Sequence, residues 1–279
     1  MQLSIIIVSW NVKALLQRCL TSVYQYTTEL EFEVFVVDNA SHDGSADMVA
    51  TEFPQVHLIR NSVNKGFGAA NNQALHLARG EYILFLNDDT EIFSNIFETL
   101  YQKMSELPQT VAMLGCQLTN PDGSIQESVR SFPTLWDQSI ILLKLHHLWP
   151  NLIQKYVCKD FDYTREQSVD QVMGAFMWAR TQPIKAIGGF DEKYFVWFEE
   201  VDMQKTLRQR GYSILYTPLV SCLHVKGQSF KQVRKPKAQL MFNKSLRYYF
   251  QKNHSWFAWL WISALQPASL ALAYVSSLV

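Results

Sequence analysis

The chain is poor in cysteine and in charge. Its four cysteines, Cys19, Cys116, Cys158 and Cys222, are scattered and form no C-x-x-C pair. That spacing excludes a disulfide framework and a cysteine-built zinc site, and it fits a reducing compartment. The G-x-G-x-x-G signature of a dinucleotide-binding fold is missing after the first apolar run, where "SWNVKA" stands instead. No basic segment precedes "LSIIIVSW", so the start reads as a first strand and not as a signal peptide. Internal repeats and low-complexity tracts are absent. Acids are missing from Cys222 to Val279, where eight Lys/Arg stand alone. Residues 1–221 hold 17 Lys/Arg against 25 Asp/Glu, a net of −8 in a chain that is neutral as a whole. An acidic body with a basic end suggests two tasks. No recognised nucleic-acid motif accompanies the basic stretch, so nucleic acid is not expected as a partner.

What is present is a core. Of 279 residues, 48% are apolar and 18% charged, enough for one large domain or a domain with an appendage. Short apolar runs alternate with helical patterns: strands at Leu3–Val8, Phe32–Val37, Val56–Arg60 and Tyr82–Leu86, helices at Lys13–Tyr26, Gly44–Phe53 and Phe67–Arg79. This predicts βαβ units, a mostly parallel α/β sheet and a ligand cleft at the carboxyl ends of its strands. A helix near Ser94–Glu106 and a strand near Val111–Cys116 follow. Leu135–Trp149 reads as helical, Asn151–Ser168 as a polar excursion, and the chain after Lys235 as helical to its end.

Polar clusters sit at the strand ends. "YILFLNDDTEI" runs a buried strand into Asn87, Asp88 and Asp89. Adjacent carboxylates there suit either a plain turn or a hard divalent cation such as Mg²⁺ or Mn²⁺ bridging to substrate phosphates. Asp38 in "VVDNASHDGS" could cap a turn or accept hydrogen bonds from a base or ribose. Gly66 and Gly68 open a helix in "NKGFGAANNQAL", which allows close backbone approach to a ligand. Glu199, Glu200 and Asp202 crowd the first turn of a helix that follows "YFVWF"; beside aromatics a carboxylate can rise toward the working range of a general base. His224 ends an apolar strand and reads as a packed residue or a ligand.

In this order, "SIIIVSWN", "VVDNASHDGS", "NKGFGAANNQAL", "LFLNDDTEI", "GAFMWARTQPIKAIGGFDEKYFVWFEEVDMQKTLRQRGY" and "HVKGQS" resemble the family-2 glycosyltransferases of the GT-A fold, in their rhamnosyltransferase-like branch. The resemblance covers residues 3–230. It implies a catalytic domain over 1–230, with a nucleotide-sugar half (1–118) and an acceptor half (119–230), and an inverting, metal-dependent sugar transfer. Ser9, Asn11, Asp38, Asn39, Lys65, Gly66, Asn87 and Asp88 are assigned to the nucleotide-diphosphate donor, with Gly66 against the nucleotide. Asp89 and His224 would hold Mg²⁺ or Mn²⁺. Glu200 would be the base, with Glu199 the neighbouring candidate, since Glu200 stands where the family's pair has Asp. Gly174, Ala175, Phe176 and Trp197 are assigned to the side of the saccharide acceptor, which in this branch is commonly lipid-linked and serves surface polysaccharide synthesis. The alternatives are a sugar nucleotidyltransferase, whose basic Gly-rich loop is missing here, and an inactive nucleotide-sugar-binding module.

The segment 256–279 carries no charge. It could span a bilayer, lie on it as two helices broken at Pro267, or pack on the body or a second copy of the chain in a homodimer. The basic stretch before it and Trp256, Trp259 and Trp261 favour a tail over 231–279 on the cytoplasmic face of a membrane, peripheral or anchored.

Overall fold

The computed structural model describes residues 1–277; the last two residues of the apolar segment, Leu278 and Val279, lie outside the described residues. The first half alternates as β1 (Leu3–Ser9), α1 (Lys13–Tyr26), β2 (Phe32–Asp38), α2 (Ser45–Glu52), β3 (His57–Arg60), α3 (Phe67–Leu77) and β4 (Tyr82–Asn87). Then come β5 (Thr90–Glu91), α4 (Ile96–Glu106), β6 (Val111–Thr119), β7 (Ile125–Gln126), β8 (Val129–Arg130) and α5 (Leu135–Leu142). The chain closes with β9 (Gln167–Val169), β10 (Gln171–Val172), β11 (Phe176–Arg180), α6 (Thr181–Ala186), α7 (Glu199–Gln209), β12 (Ser213–His224), α8 (Lys235–Asn253) and α9 (Trp256–Val275).

The main sheet runs β3-β2-β1-β4-β11-β6-β12-β5. It is parallel from β3 to β4 and again between β6 and β12, with β11 antiparallel to both of its neighbours. Its central strands are apolar on both faces because helices cover both. One core packs Leu16, Leu20, Phe97 and Leu100 of α1 and α4 on one face; the other packs Ala70, Ala74, Met203 and Leu207 of α3 and α7 on the opposite face. A third core joins Tyr194, Phe198 and Val201 to Leu246, Tyr249 and Phe250 of α8 and to Ile262 of α9.

Two expected helices end elsewhere. The helix expected over Leu135–Trp149 stops at Leu142, and Lys144 takes a left-handed φ of 58°. Two short 3₁₀ turns, Leu145–His147 and Pro150–Ile153, follow. Pro267 does not break α9, which runs through it. The break falls at His254, and the Ser255 side chain caps the new helix by accepting from the Ala258 N–H. Packing holds the proline-bearing turn, since Gln266 Nε2 donates to the Asn243 carbonyl of α8.

Candidate active site

Strand register brings the first group together. Ser9 pairs with Asp38, and Val8 stands between Val37 and Asn87, so β1, β2 and β4 end at one edge. Asp38 is buried; its Oδ2 accepts from the Ser41 N–H and its Oδ1 closes no hydrogen bond. Asn39 is fully engaged inside the protein. Its Nδ2 donates to Asn64 Oδ1 and the Gly66 carbonyl, and its Oδ1 accepts from Asn61 and from the Lys65 N–H. It is a brace for the 64–66 loop. Asn11 (φ 53°) is a second brace: its N–H donates to Ser41 Oγ and its Oδ1 accepts from the His42 N–H. The Lys65 side chain points to solvent.

Gly66 has a φ of 87°, and a Cβ there would meet the Phe195 carbonyl oxygen at 2.2 Å. What it lies against is therefore the loop before α7, whose Phe195 carbonyl also accepts from the Phe67 N–H. A cavity of about 410 Å³ opens beside this contact, lined among others by Trp10, Asn39, Gly66, Phe195, Lys237 and Met241. Asp38 lines a separate cavity of about 400 Å³ with His42 and Arg60.

The second group is electrostatic. Asp88 and Asp89 are buried, and burial together with the Asp89 charge pushes Asp88 up to about 8. Ser9 Oγ faces Asp88 without closing a hydrogen bond, and with the Trp10 N–H it opposes part of that rise. β12 pairs with β5, which returns His224 to the same edge opposite Thr90. His224 Nε2 stands 3.2 Å from Asp89 Oδ1, and Asn87 Nδ2 approaches it at 3.5 Å.

A chain of hydrogen bonds sets the imidazole's proton. Ser124 Oγ donates to the Asp122 carboxylate, so it accepts from Asn120 Nδ2. Asn120 Oδ1 then accepts from Gln126 Nε2, which also donates to the His224 carbonyl. Gln126 Oε1 is left as the acceptor for His224 Nδ1–H at 2.6 Å. With Nδ1 carrying the proton of a singly protonated ring, Nε2 turns a lone pair toward Asp89 Oδ1, a buried oxygen that closes no hydrogen bond; a doubly protonated ring would pair with it instead. Two facing lone pairs in a buried place fit a divalent cation. Among the described residues no cluster of three metal-binding side chains forms there. Two protein donors would leave such an ion to take its other ligands from substrate phosphates and water.

The third group is on α7. Trp197 and Phe198 both have positive φ, which swings the chain so that Glu199 and Glu200 open the helix. Both lie at its positive end. Glu199 is buried, its Oε2 closes no hydrogen bond, and burial and the Glu200 charge hold it well above the ordinary glutamate range. Glu200 is half-buried beside Gly174, and burial raises it as well. Asn87, Gly174, Ala175, Trp197, Glu199 and Glu200 line a cavity of about 200 Å³. It shares Phe67 and Val196 with the larger cavity beside Gly66. Phe176 is not in this wall: β11 turns its ring into the core against Phe97. Asp202, one turn on, accepts from Tyr194 Oη, Lys252 Nζ and Asn253 Nδ2, which fastens the end of α8 to the start of α7.

Sequence reasoning missed Gln126 and the cavity residues Phe67, Phe195, Val233, Lys237 and Met241. Nothing local in the sequence marks them, because α8 reaches the cavity only through its packing on α7.

A Rossmann-like sheet with paired acids at the end of β4, a histidine returning to them and a carboxylate helix across the cleft is the arrangement of a glycosyltransferase of the GT-A fold. The comparisons agree. The profile of glycosyl transferase family 2 matches residues 4–172. An N-acetylglucosaminyl-diphospho-decaprenol L-rhamnosyltransferase of Mycobacterium tuberculosis is 28% identical over 239 residues, 81% of this chain and 77% of that protein. The fold is similar to the mannosyltransferase PcManGT of Pyrobaculum calidifontis, solved with GDP-Man and Mn²⁺ (TM-score 0.60, 17% identity, 98% of this chain and 73% of that one). It is also similar to S. aureus TarS solved with UDP-GlcNAc (TM-score 0.57, 17% identity, 98% and 72%). The chain belongs to glycosyltransferase family 2.

Proposed function

We propose that the protein is an inverting, divalent-metal-dependent transferase. It moves a sugar from a nucleotide-diphosphate donor to a hydroxyl of a lipid-linked saccharide, at the cytoplasmic face of a membrane, in the synthesis of a cell-surface polysaccharide. Asn87 carries the reading. Its amide approaches His224, and it also lines the cavity that holds Glu200, so the cation pair and the base share one wall. The relative named for transfer of L-rhamnose to a diphospho-decaprenol acceptor makes rhamnose the first sugar to test.

Asp89 and His224 would hold Mg²⁺ or Mn²⁺, and the donor would lie in the cavity beside Gly66 and Trp10. When bound, the cation neutralises charge on the departing diphosphate. Glu200 takes the proton of the acceptor hydroxyl. The hydroxyl oxygen bonds to the anomeric carbon from the face opposite the diphosphate, and the old C–O electron pair leaves with the diphosphate. Configuration inverts without a covalent intermediate. Burial raises both Glu199 and Glu200, and Glu200, the less buried of the two and the one beside Gly174, is assigned the proton transfer.

The membrane reading rests on α9, whose 20 residues are long and apolar enough to span. Ile262, Ser269 and Ala273 are nonetheless buried against its neighbours, so we read it as lying on the surface. Its outward face shows Trp256, Phe257, Leu260 and Trp261.

The test is a screen of nucleotide sugars, nucleotide-diphospho-rhamnose included, with the unaltered protein and Glu200→Gln. Turnover in the variant should fall by about 10²-fold or more, with nucleotide-diphosphate affinity held. A dead Glu199→Gln beside an active Glu200→Gln moves the base by one residue. No transfer from any donor, with donor binding intact, returns the chain to a binding module.

A further inference from the structure

Trp197 lines a second cavity besides the one at Glu200. It measures about 340 Å³, and its walls include Lys144 and His146 just past α5, Lys235 and Gln239 of α8, and Ser276 just past α9. Among the described residues no carboxylate lines it. Lys144 Nζ donates to Gln239 Oε1 at 2.5 Å, and Lys235 Nζ donates to the Ser276 carbonyl at 2.8 Å. Neither ammonium forms an ion pair among the described residues. Each engages one neutral acceptor and has donors to spare.

The positive charges are crowded. Lys144 is held in the left-handed region at φ 58°, a conformation sparse for a side chain with a Cβ. Burial lowers its pKa, with no acid offsetting it. His146 is likewise pushed down by burial, by His147 and by Lys144. Among the described residues no acid offsets the half-buried Lys144 and the exposed Lys235 at the cavity's rim, and left-handed backbone of this sort gathers at ligand sites.

Position says which anion. One wall, Trp197, belongs to the cavity of Glu200; another, Ala273 and Ser276, belongs to the end of the apolar helix α9. A molecule with its saccharide at Glu200 and its hydrocarbon along α9 has its linking phosphates between the two. We infer that this cavity binds the phosphate or diphosphate that joins the acceptor saccharide to its lipid, with Lys144 and Lys235 as the donors. The inference rests on the lipid-linked acceptor reading above.

Two acceptors carrying the same saccharide decide it, one on a short prenyl diphosphate and one on a neutral alkyl glycoside of similar length. Lys144→Gln and Lys235→Gln, singly and together, should reduce the kcat/KM preference for the diphosphate acceptor by about tenfold or more, through KM, as expected for lost hydrogen bonds to a charged group. Lys235→Arg should recover part of it. Nucleotide-diphosphate affinity, measured in each variant, reports that the fold is intact. An undiminished preference in the double variant overturns the inference. So does a preference left intact while binding to phosphatidylglycerol vesicles weakens, because the cavity then serves an anionic lipid head group. If the unaltered protein uses neither acceptor, the lipid-linked reading itself fails and takes this inference with it.

Discussion

Gln126 Oε1 accepts from His224 Nδ1 across 98 residues of sequence, at 2.6 Å. The direction of that bond is set by a surface turn, where the Asp122 carboxylate can only accept. The chain through Ser124 and Asn120 thus puts a proton on the imidazole nitrogen turned away from Asp89.

Breaking that chain should loosen the cation without touching its ligands. In metal-free protein, ¹⁵N imidazole shifts should place the His224 proton on Nδ1, and Gln126→Leu should release it to mixed tautomers. Mn²⁺ affinity, read by electron paramagnetic resonance, should fall about 10- to 100-fold, the usual cost of losing such an outer partner. A proton found on Nε2 in the unaltered protein would falsify the assignment.

The pH profile should carry the mark of a buried base. Glu200 must be ionised to accept a proton, and burial raises it above the ordinary glutamate value of about 4.3. Activity is therefore lost as pH falls through that raised value, so the acid limb of kcat/KM lies above the ordinary range. Glu200→Gln should remove the limb along with most of the turnover. A limb unchanged in the residual activity of Glu200→Gln assigns it elsewhere.

Glu199 should cost stability in return. A carboxylate whose folded pKa is raised contributes stability below its unfolded value, and that contribution is lost as pH rises through the folded one. In metal-free protein the Glu199 contribution to Tm should fall as pH rises above about 4.3, against carboxylates such as Asp43 and Asp191 whose contributions grow. Glu199→Gln should remove that contribution and be more stable than the unaltered protein at neutral pH. Calorimetry across pH checks the sign; a variant less stable at neutral pH refutes it.

The outward face of α9 offers a further test. Trp256 and Phe257 are the most exposed aromatics at the start of α9, so Trp256→Ser with Phe257→Ser should leave Tm nearly unchanged. Sedimentation with anionic vesicles should weaken by about tenfold or more, since each aromatic buries apolar area in the interface. Equal binding by the double variant moves the membrane contact off this helix.

β1, β2 and β4 were legible because each is a short apolar run buried on both faces, and β3, an edge strand without a buried residue, by its place between two helical patterns. The acids at 88, 89 and 200 were legible as charges where a core strand or an aromatic run stops. Phe176 was misplaced because a motif names a segment, whereas the pleat decides which side chain meets the cleft. Pro267 misled because the packing of α9 on α8 overrode a local breaker. Gln126 and Lys237 were invisible, since their roles exist only once distant segments have met. The basic run that reads as a tail in sequence is, at Lys237, also a wall of the larger cavity.

Lys252 and Asn253 fasten α8 to Asp202, a residue of the helix that Glu199 and Glu200 open. α9 is in turn packed along α8. α9 and the carboxylate proposed to take the acceptor's proton are thus joined through packed helices. With α9 on the membrane, the height of Glu200 above the lipid plane becomes a constant of the fold. Such a connection acts as a ruler: it would select acceptors by how far their reacting hydroxyl stands from the surface, and so by how many sugars they already carry.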